Sequence, residues 1–440
     1  MKQLSKITFQ LLAGANCATI ILMFLVGNAD IINPVSFPRL SNIGLIYPFF
    51  LFVNLLFLVF WLFVKARYAI IPFVGFVVCF GGVRKYCPLN LPEDPPKGCI
   101  KVLSYNVLNY VGMDDHDRSN AILDYIRKQD ADIVCLQESM PSLIGQAVID
   151  SVLCPVYAYT DTAKHGSDFM TIFSKYPILS REHIDYPSTS NMSVAFRLHV
   201  KGRDVIVINN HLETTGLSKE EKQKFKYLLK GELQADTATA TSKWFVGHLG
   251  QQTKKRAPQA EAVARFIAYH AGTPMIVCGD FNDSPISYVH RTIAKNLTDC
   301  YVSTANGPGI SYHYSGFFVR IDNILCSSHF TPYGCQVDKS IKKSDHYPIL
   351  CWLNMRYSSN STSTTFRMTM LQKVCYLITV LGVNCHYKRI TGLFCFLRSP
   401  ALFIGTGTLR SICRNFLFNF FTNLLHTLLY QVSSSVCIFR

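Results

Sequence analysis

Three long apolar stretches open the chain, and shorter apolar runs separated by polar segments follow them. The long stretches cover residues 7–26, 44–64 and 68–83, and none of them contains a charged residue. The first two have the length that a helix needs to cross a bilayer core. The third is shorter, which predicts either a tilted crossing or a re-entrant or interfacial helix. The pattern therefore predicts a membrane anchor over residues 1–85 with two or three transmembrane helices.

Basic residues at the ends of these stretches predict the orientation of the anchor. Lys2 and Lys6 precede the first stretch, and Lys65 and Arg67 lie between the second and the third. The positive-inside rule places both pairs in the cytoplasm, so three crossings put the following region outside it. Arg84 and Lys85 favour the opposite orientation, and two crossings would leave that region in the cytoplasm. A cleaved signal peptide is the alternative for the first stretch.

A change of pattern near residue 99 predicts a separate domain. Residues 86–98 are rich in proline, which predicts an extended linker. Polar, helix-like segments then lie at 117–129, 218–232 and 257–271, with Pro258 near the start of the last. Short apolar runs rich in β-branched residues predict strands at 100–106, 132–137, 169–174, 193–200, 204–210, 274–279, 321–326 and 348–353. Interleaved strands and helices predict an α+β domain over residues 99–356.

Polar side chains lie at the ends of five of these apolar runs, after four of them and before the last. The strings are Ser104-Tyr105-Asn106, Leu136-Gln137-Glu138, Asn210-His211-Leu212-Glu213, Gly279-Asp280-Phe281-Asn282-Asp283 and Ser344-Asp345-His346. A carboxylate at the mouth of a buried strand is costly unless it meets a cation or a donor. Each string alone is also compatible with an ordinary turn or a solvated strand end. Together they supply the carboxylates, amides and imidazoles that metal-assisted phosphoester hydrolysis requires.

The order and spacing of the five strings resemble the endonuclease/exonuclease/phosphatase superfamily, whose members are DNase-like and magnesium-dependent. The resemblance covers about residues 98–356 and implies a four-layer α/β/β/α sandwich. Residues 33–57 are similar to the membrane anchor of a bacterial subgroup of this superfamily. The likeness rests on Asn33-Pro34, Phe37-Pro38 and the run Asn54-Leu55-Leu56-Phe57. The resemblance thus implies a membrane-anchored hydrolase.

The resemblance also implies a role for each matched residue. A metal ion, Mg²⁺ with Mn²⁺ as a possible substitute, is assigned to Glu138, Asn106 and Asp345. The groups implied to activate water and stabilise phosphoryl charge are Asp280, Asn282, His211 and His346, with Asp322 holding His346. A weaker assignment to substrate binding covers Asp168, Asn191 and Arg197.

Net charge bears on the substrate. The chain carries +15, but residues 98–356 contain 27 basic and 25 acidic residues, so the excess lies on the flanking regions. Bulk charge therefore does not indicate a face for a nucleic-acid backbone. A lipid or phosphosugar ester is weakly favoured, a nuclease on DNA or RNA is the alternative, and a phosphate-binding module without turnover is a third hypothesis. The sequence indicates no protein partner.

The C-terminal region differs from the rest in composition. No Asp or Glu follows Asp345, so residues 357–440 form a basic, acid-free tail. We interpret this tail as lying outside the catalytic fold, and a membrane-associating tail is the alternative. The sixteen cysteines are scattered along the chain and form no C-x-x-C pair, so their spacing does not indicate a zinc ribbon. Cys87 and Cys99 could pair in an oxidising compartment or remain two thiols.

Overall fold

The computed structural model describes residues 2–111 and 120–356, which form an N-terminal group of helices followed by an α+β sandwich. Residues 112–119 and the tail at 357–440 lie outside the described residues. The N-terminal helices are α1 (Lys2–Gly27), α2 (Tyr47–Val64), α3 (Ile70–Val78) and α4 (Phe80–Tyr86).

Two of the N-terminal helical segments are long and apolar enough to cross a membrane, Lys6–Ile31 and Ile43–Val64. A third crossing is possible if the segments Ala66–Val78 and Phe80–Tyr86, which meet at a bend of 68°, form one span. Helices α1 and α2 pack through a buried polar contact, in which Nδ2 of Asn16 donates to Oδ1 of Asn54 at 3.1 Å. Nε1 of Trp61 donates to Oδ1 of Asn16 at 3.3 Å. These polar groups therefore satisfy one another between apolar helices.

Two six-stranded sheets form the centre of the sandwich. In chain order the strands are β1 (Ile100–Asn106), β2 (Ile133–Gln137), β3 (Tyr159–His165), β4 (Asp168–Ser174), β5 (Ile178–His183), β6 (Met192–Val200), β7 (Arg203–His211), β8 (Met275–Asp280), β9 (Thr298–Asp299), β10 (Asp322–Cys326), β11 (Phe330–Val337) and β12 (Ile349–Met355). The first sheet has the order β11-β12-β1-β2-β4-β3, and the second has the order β5-β6-β7-β8-β10-β9. Only β1 with β2 and β7 with β8 pair in parallel within these sheets.

Helices cover both outer faces of the paired sheets. They are α5 (Ala121–Gln129), α6 (Gln146–Leu153), α8 (Ala235–Tyr269) and α9 (Tyr288–Ile293). Two further helices are α7 (Lys219–Leu229) and α10 (Cys300–Thr304), of which α10 places Cys300 and Tyr301 in the core between the sheets. One apolar core lies between the sheets, a second packs α5 and α6 on the first sheet, and a third packs α8 and α9 on the second. This layering confirms the α+β domain that the pattern predicts and the α/β/β/α sandwich that the family resemblance implies.

Helix α8 differs most from its prediction. The sequence places a helix start at residue 257 because proline is tolerated in a first turn, yet α8 begins at Ala235 and contains Pro258 in its interior. The proline removes one backbone N–H from the helix, but its neighbours Ala257, Gln259 and Ala260 are fully buried against the sandwich. Tertiary packing therefore maintains the helix through a position where local preference predicts a boundary.

The loop between α1 and α2 contacts the sandwich directly. Oγ1 of Thr253 in α8 donates to Oδ1 of Asn42 at 3.0 Å. The carboxylate of Asp30 lies 3.6 Å from Nη1 of Arg291 in α9. The backbone at Gly44 approaches the carbonyl oxygen of Ile286 so closely that a Cβ there would lie 2.2 Å from it. The N-terminal helices and the sandwich thus meet along α8 and α9.

Gly279 permits the close approach of β7 and β8. Its φ is +121°, and an added Cβ would lie 2.0 Å from the carbonyl oxygen of Asn210. We predict that Gly279→Ala destabilises the protein by about 3 kcal/mol or more, because both the backbone angle and the ladder must distort. The melting temperature of the detergent-purified chain measures the effect. Gly247→Ala in α8 is the control, since nothing lies within 4 Å of its Cβ position, and it should be neutral or stabilising. Equal melting temperatures for the two variants would contradict the prediction.

Candidate active site

The register of the strands brings the polar strings to one edge of the sandwich. In the first sheet, Asn106 at the end of β1 lies opposite Gln137 at the end of β2. In the second sheet, Asp280 pairs with His211 on one side and with Asp322 on the other. The two sheets meet at this edge, because Nδ2 of Asn106 donates to Oδ2 of Asp280 at 3.3 Å. The strand ends of both sheets therefore form one cluster.

His346 lies between two buried carboxylates. Its Nδ1 donates to Oδ2 of Asp322 at 2.8 Å, and its Nε2 lies 3.6 Å from Oδ2 of Asp280. Asp322 is fully buried, and Asp280 and His346 are 1% and 4% exposed, so solvent does not screen these interactions. Burial by itself would lower the pKa of His346, but Asp322 and Asp280 outweigh it and raise the pKa to about 10. His346 is therefore an imidazolium at neutral pH.

His211 forms a second pair of the same kind. Its Nδ1 donates to Oδ2 of Asp168 at 2.8 Å, and its Nε2 lies 3.7 Å from Oε1 of Glu138. Burial again opposes the charged form, while Asp168 and then Glu138 favour it, and the net effect raises the pKa of His211 to about 10. Two buried cations thus point their Nε2 atoms towards carboxylates at the same edge.

The position of Glu138 is conformationally unusual. Its φ is +49°, which is uncommon for a residue with a side chain. Its side chain is 30% exposed and accepts a hydrogen bond from Nδ2 of Asn106 at 2.9 Å. Glu138 is therefore a carboxylate of this edge that remains open to solvent, and the backbone conformation that puts it there costs energy.

Asp280 and Asn282 form a local turn at the end of β8. The backbone N–H of Asn282 donates to Oδ1 of Asp280 at 2.8 Å, and its Nδ2 donates to the carbonyl oxygen of Leu212 at 3.0 Å. These contacts orient the Asn282 side chain and leave its carboxamide oxygen available. Burial raises the pKa of Asp280 to about 6, with His346 opposing the rise and Asp322 adding to it. A carboxylate with a raised pKa is a stronger base.

Asp345 and Ser344 connect the last string to the first. Oγ of Ser344 donates to the carbonyl oxygen of Asn106 at 2.8 Å, and it lies 3.4 Å from Oδ1 of Asp345. The Asp345 side chain is partly exposed beside the fully buried Ser344. The residues predicted for the metal and for catalysis therefore all lie at one edge: Asn106, Glu138, His211, Asp280, Asn282, Asp322, Asp345 and His346.

The three residues weakly assigned to substrate binding have different positions. Asp168 is 6% exposed and belongs to the pair with His211, a contact that the sequence analysis does not include. Asn191 is buried next to Met192, which pairs with His211. Arg197 is not brought to the cluster, because it lies five residues farther along β6 on the face opposite the inter-sheet core and 3.9 Å from Asp204. A strand residue at that register cannot reach the edge.

Other residues at this edge carry no role in the sequence analysis. Nε2 of Gln137 donates to Oδ1 of Asn209 at 2.6 Å and so joins the two sheets behind the cluster. The ring of Tyr312 packs against the ring of His346 at 5.0 Å. Gln137 directly precedes Glu138, and Asn209 directly precedes Asn210. Because side chains alternate between the faces of a strand, these positions could have indicated polar residues between the sheets. Tyr312 has no such signal.

The residues present fit a hard divalent cation. Ligand atoms of Asp280, Asp322 and His346 lie within 4.8 Å of one another. Oδ1 of Asp322 is buried without a hydrogen-bond partner among the described residues. However, both ring nitrogens of His346 face carboxylates, so this trio behaves as an ion-paired cluster, while the carboxylate of Glu138 is 30% exposed and accepts a hydrogen bond from the buried Asn106. Carboxylate and amide oxygens are the ligands that Mg²⁺ prefers.

Comparison with sequence families decides the identity of the sandwich. Residues 103–346 match the sequence profile of the endonuclease/exonuclease/phosphatase family. The chain belongs to this family. Members of the endonuclease/exonuclease/phosphatase family are in general hydrolases of phosphoester bonds, and they are typically dependent on a divalent metal ion. Residues 9–86 match a second profile, a domain of unknown function (DUF8431). No curated protein matches the chain.

Several solved structures are similar to the chain. The endonuclease/exonuclease/phosphatase from Beutenbergia cavernae is 18% identical, and the match covers 60% of this chain and 73% of that one with a TM-score of 0.44. The human Nocturnin catalytic domain with a bound sulfate anion is 17% identical, with 60% and 97% covered and a TM-score of 0.43. The endonuclease/exonuclease/phosphatase from Bacteroides vulgatus is 16% identical, with 59% and 100% covered and a TM-score of 0.40.

The pairing of His211 with Asp168 leads to a prediction. We expect Asp168→Asn to lower kcat/KM on bis(p-nitrophenyl) phosphate by at least about a hundredfold, as Asp322→Asn should, because each carboxylate keeps one imidazole charged and oriented. Steady-state kinetics with excess Mg²⁺ measures the effect.

Asp161→Asn is the matched control for Asp168→Asn, because Asp161 lies on β3, the strand that pairs with β4, and its carboxylate contacts Arg181 away from the cluster. Its activity should equal that of the wild type. Wild-type activity of Asp168→Asn, with Asp322→Asn impaired, would show that the two pairs are not equivalent.

Proposed function

We propose that this protein is a membrane-anchored, Mg²⁺-dependent phosphoesterase that hydrolyses a phosphodiester or phosphomonoester by in-line attack of water. The observation that carries the proposal is the pair of buried imidazolium–carboxylate contacts, His211 with Asp168 and His346 with Asp322, on either side of Asp280. Two fixed cations beside a general base suit the charge that develops on a phosphoryl group.

Asp280 takes the proton of the attacking water in this proposal. Its carboxylate is held by the backbone of Asn282 and by Nδ2 of Asn106, so it does not reorient during the reaction. Its raised pKa suits a base that must accept a proton near neutral pH. The carboxamide of Asn282, fixed through Leu212, contacts a phosphoryl oxygen.

The two imidazolium groups stabilise the negative phosphoryl oxygens, and His211 gives one proton to the leaving oxygen. Each ring is fixed through Nδ1, so its Nε2 is the atom that faces the reacting group. Both sites are almost fully buried, and fixed charges act more strongly there than in water. Removal of either ring should therefore reduce the rate rather than substrate affinity alone.

Glu138 would hold the divalent cation, with Asn106 and Asp345 as the other candidate ligands. The partial exposure of Glu138 and its contact with Asn106 support this assignment. A bound Mg²⁺ would supply charge neutralisation at the leaving oxygen. The strained backbone of Glu138 further supports a functional role, because strain of this kind persists where a site requires it.

A nuclease acting on DNA or RNA is the second candidate. The family membership supports it, whereas the small net charge of residues 98–356 does not. A phosphate-binding module without turnover is the third candidate. A binding module has no use for a buried base such as Asp280 next to a bound anion, since the two charges repel.

We predict that Glu138→Gln, Asp280→Asn and His346→Ala each lower Mg²⁺-dependent hydrolysis of bis(p-nitrophenyl) phosphate by at least about a thousandfold. The assay compares initial rates in Mg²⁺ and in EDTA for the full chain in detergent, with wild-type melting temperatures required of each variant.

Glu182→Gln on β5 is the control, because its side chain is exposed and outside the cluster. Variants of the cluster with wild-type rates would overturn the assignment. A wild-type rate unaffected by EDTA would overturn only the dependence on metal.

We further propose that the anchor comprises residues 1–85, the linker 86–98 and the catalytic domain 99–356, with the tail at 357–440 outside the catalytic fold. The contacts of the α1–α2 loop with α8 and α9 support three crossings. A loop that touches the sandwich lies on the same side of the membrane as the sandwich. The chain leaves α2 on the other side, so the bent α3–α4 segment must cross to return.

The distribution of basic residues supports an extracytoplasmic catalytic domain. Lys6 and the pair Lys65 and Arg67 lie at the ends remote from the α1–α2 loop, which contains Arg39 and Asp30. The positive-inside rule therefore places the remote ends in the cytoplasm.

We predict that protease added to intact spheroplasts degrades the catalytic domain of the expressed chain, because that domain faces outwards. An immunoblot against the domain follows the digestion, and a cytoplasmic protein of the host serves as the control that must remain intact. A domain that is cut only after detergent is added would show that it faces the cytoplasm.

A further inference from the structure

Helix α7 lies against the wall of the active site. It corresponds to the helix-like segment at 218–232 and begins with a capping box between Ser218 and Glu221. Phe225 of α7 stacks on Phe317 with 4.1 Å between ring centroids, and Leu229 packs over Gly316. These contacts fix α7 on the loop 312–317, which runs beside His346.

One cation of α7 points into this wall. Nζ of Lys222 donates to the hydroxyl of Tyr312 at 3.1 Å and lies 5.6 Å from the ring centroid of Tyr314. No carboxylate oxygen of the described residues lies within 4.0 Å of this nitrogen. Lys230 and Lys255, in contrast, are paired with Glu232 and Glu213. The charge of Lys222 is therefore available to an anion.

Tyr312 connects Lys222 to the catalytic cluster. Its ring meets the ring of His346 edge to face at 5.0 Å and 65°, and its backbone forms bridges with His346 and Val319. Burial raises the pKa of Tyr312, and the carboxylates of Asp345 and Asp280 raise it further, so the hydroxyl keeps its proton. Since Lys222 donates to the oxygen of this hydroxyl, the hydroxyl proton is free for an acceptor.

We propose that Lys222 and Tyr312 form a subsite for a second anionic group of the substrate, next to the phosphate that is hydrolysed. The subsite rests on the proposed phosphoesterase function. Nζ lies 5.7 Å from the Tyr312 ring, which itself touches His346, so a group held there is separated from the reacting phosphate by a few bonds. The substrate class is a phosphoester whose alcohol part carries another phosphate or a carboxylate.

A purely structural role for Lys222 has a different expectation. A lysine that only braces the loop through its contacts with Tyr312 and Tyr314 would affect all substrates alike when it is replaced. A lysine that binds a second anion affects only the substrates that carry one. Pairs of substrates that differ by one phosphate therefore separate the two roles.

The test measures kcat/KM for two such pairs with the full chain in Mg²⁺. One pair is a dinucleotide with and without a 5′-phosphate, and the other is phosphatidylinositol and phosphatidylinositol 4-phosphate in phosphatidylcholine vesicles. We expect the wild type to prefer the additional phosphate in one pair, and Lys222→Met to reduce that preference about tenfold, which is the size of one charged hydrogen bond. The pair that responds identifies whether the anion belongs to a nucleotide or a lipid.

Lys224→Met is the matched control, because Lys224 lies on the same helix with its side chain exposed. It should keep the wild-type preference, and Lys222→Arg should keep most of it. An equal loss on both members of each pair, or no preference in the wild type, would overturn the subsite. Failure of the wild type to hydrolyse any substrate, including bis(p-nitrophenyl) phosphate, would instead overturn the proposed function.

Discussion

The burial of five ionisable groups at one edge of an apolar sandwich is the constraint on which the rest of the site depends. Asp168, His211, Asp280, Asp322 and His346 are each no more than 6% exposed. A single buried charge costs several kcal/mol, so these groups are tolerated only because carboxylates and imidazoles face each other at short distances. The pairing requires β4 to lie beside β2 and β10 beside β8, so the strand order and the charge pattern support one another.

The sequence predicts the interior strands of both sheets better than their edges. All four strands absent from the prediction, β3, β5, β9 and β11, are edge strands. An interior strand is buried on both faces and reads as an apolar run, whereas β5 is almost entirely exposed and β3 is exposed at most positions. An edge strand forms because the neighbouring strand offers backbone N–H and C=O groups that need hydrogen-bond partners. The residue pattern of the edge strand itself does not indicate this pairing.

The same distinction applies to the site. Strand ends were predictable, since an apolar run that stops at a polar residue marks the edge of a sheet. The pairing of Asp168 with His211 was not, because it joins the start of β4 in one sheet to the end of β7 in the other. Arg197 shows the converse limit, since membership of a strand does not decide at which register or on which face a residue lies. The position of Lys222 beside the site was not predictable either, because it depends on how α7 packs on the loop 312–317.

Arg256 connects the N-terminal helices to the loops of the candidate site. This residue is 2% exposed, and its guanidinium donates to the carbonyl oxygen of Glu213, to Oδ2 of Asp283 and to Oγ1 of Thr253. Glu213 follows His211, Asp283 follows Asn282, and Thr253 binds Asn42 of the loop between α1 and α2. One buried cation therefore joins both loops of the candidate site to the loop between α1 and α2, so the fold itself connects the site to the N-terminal helices.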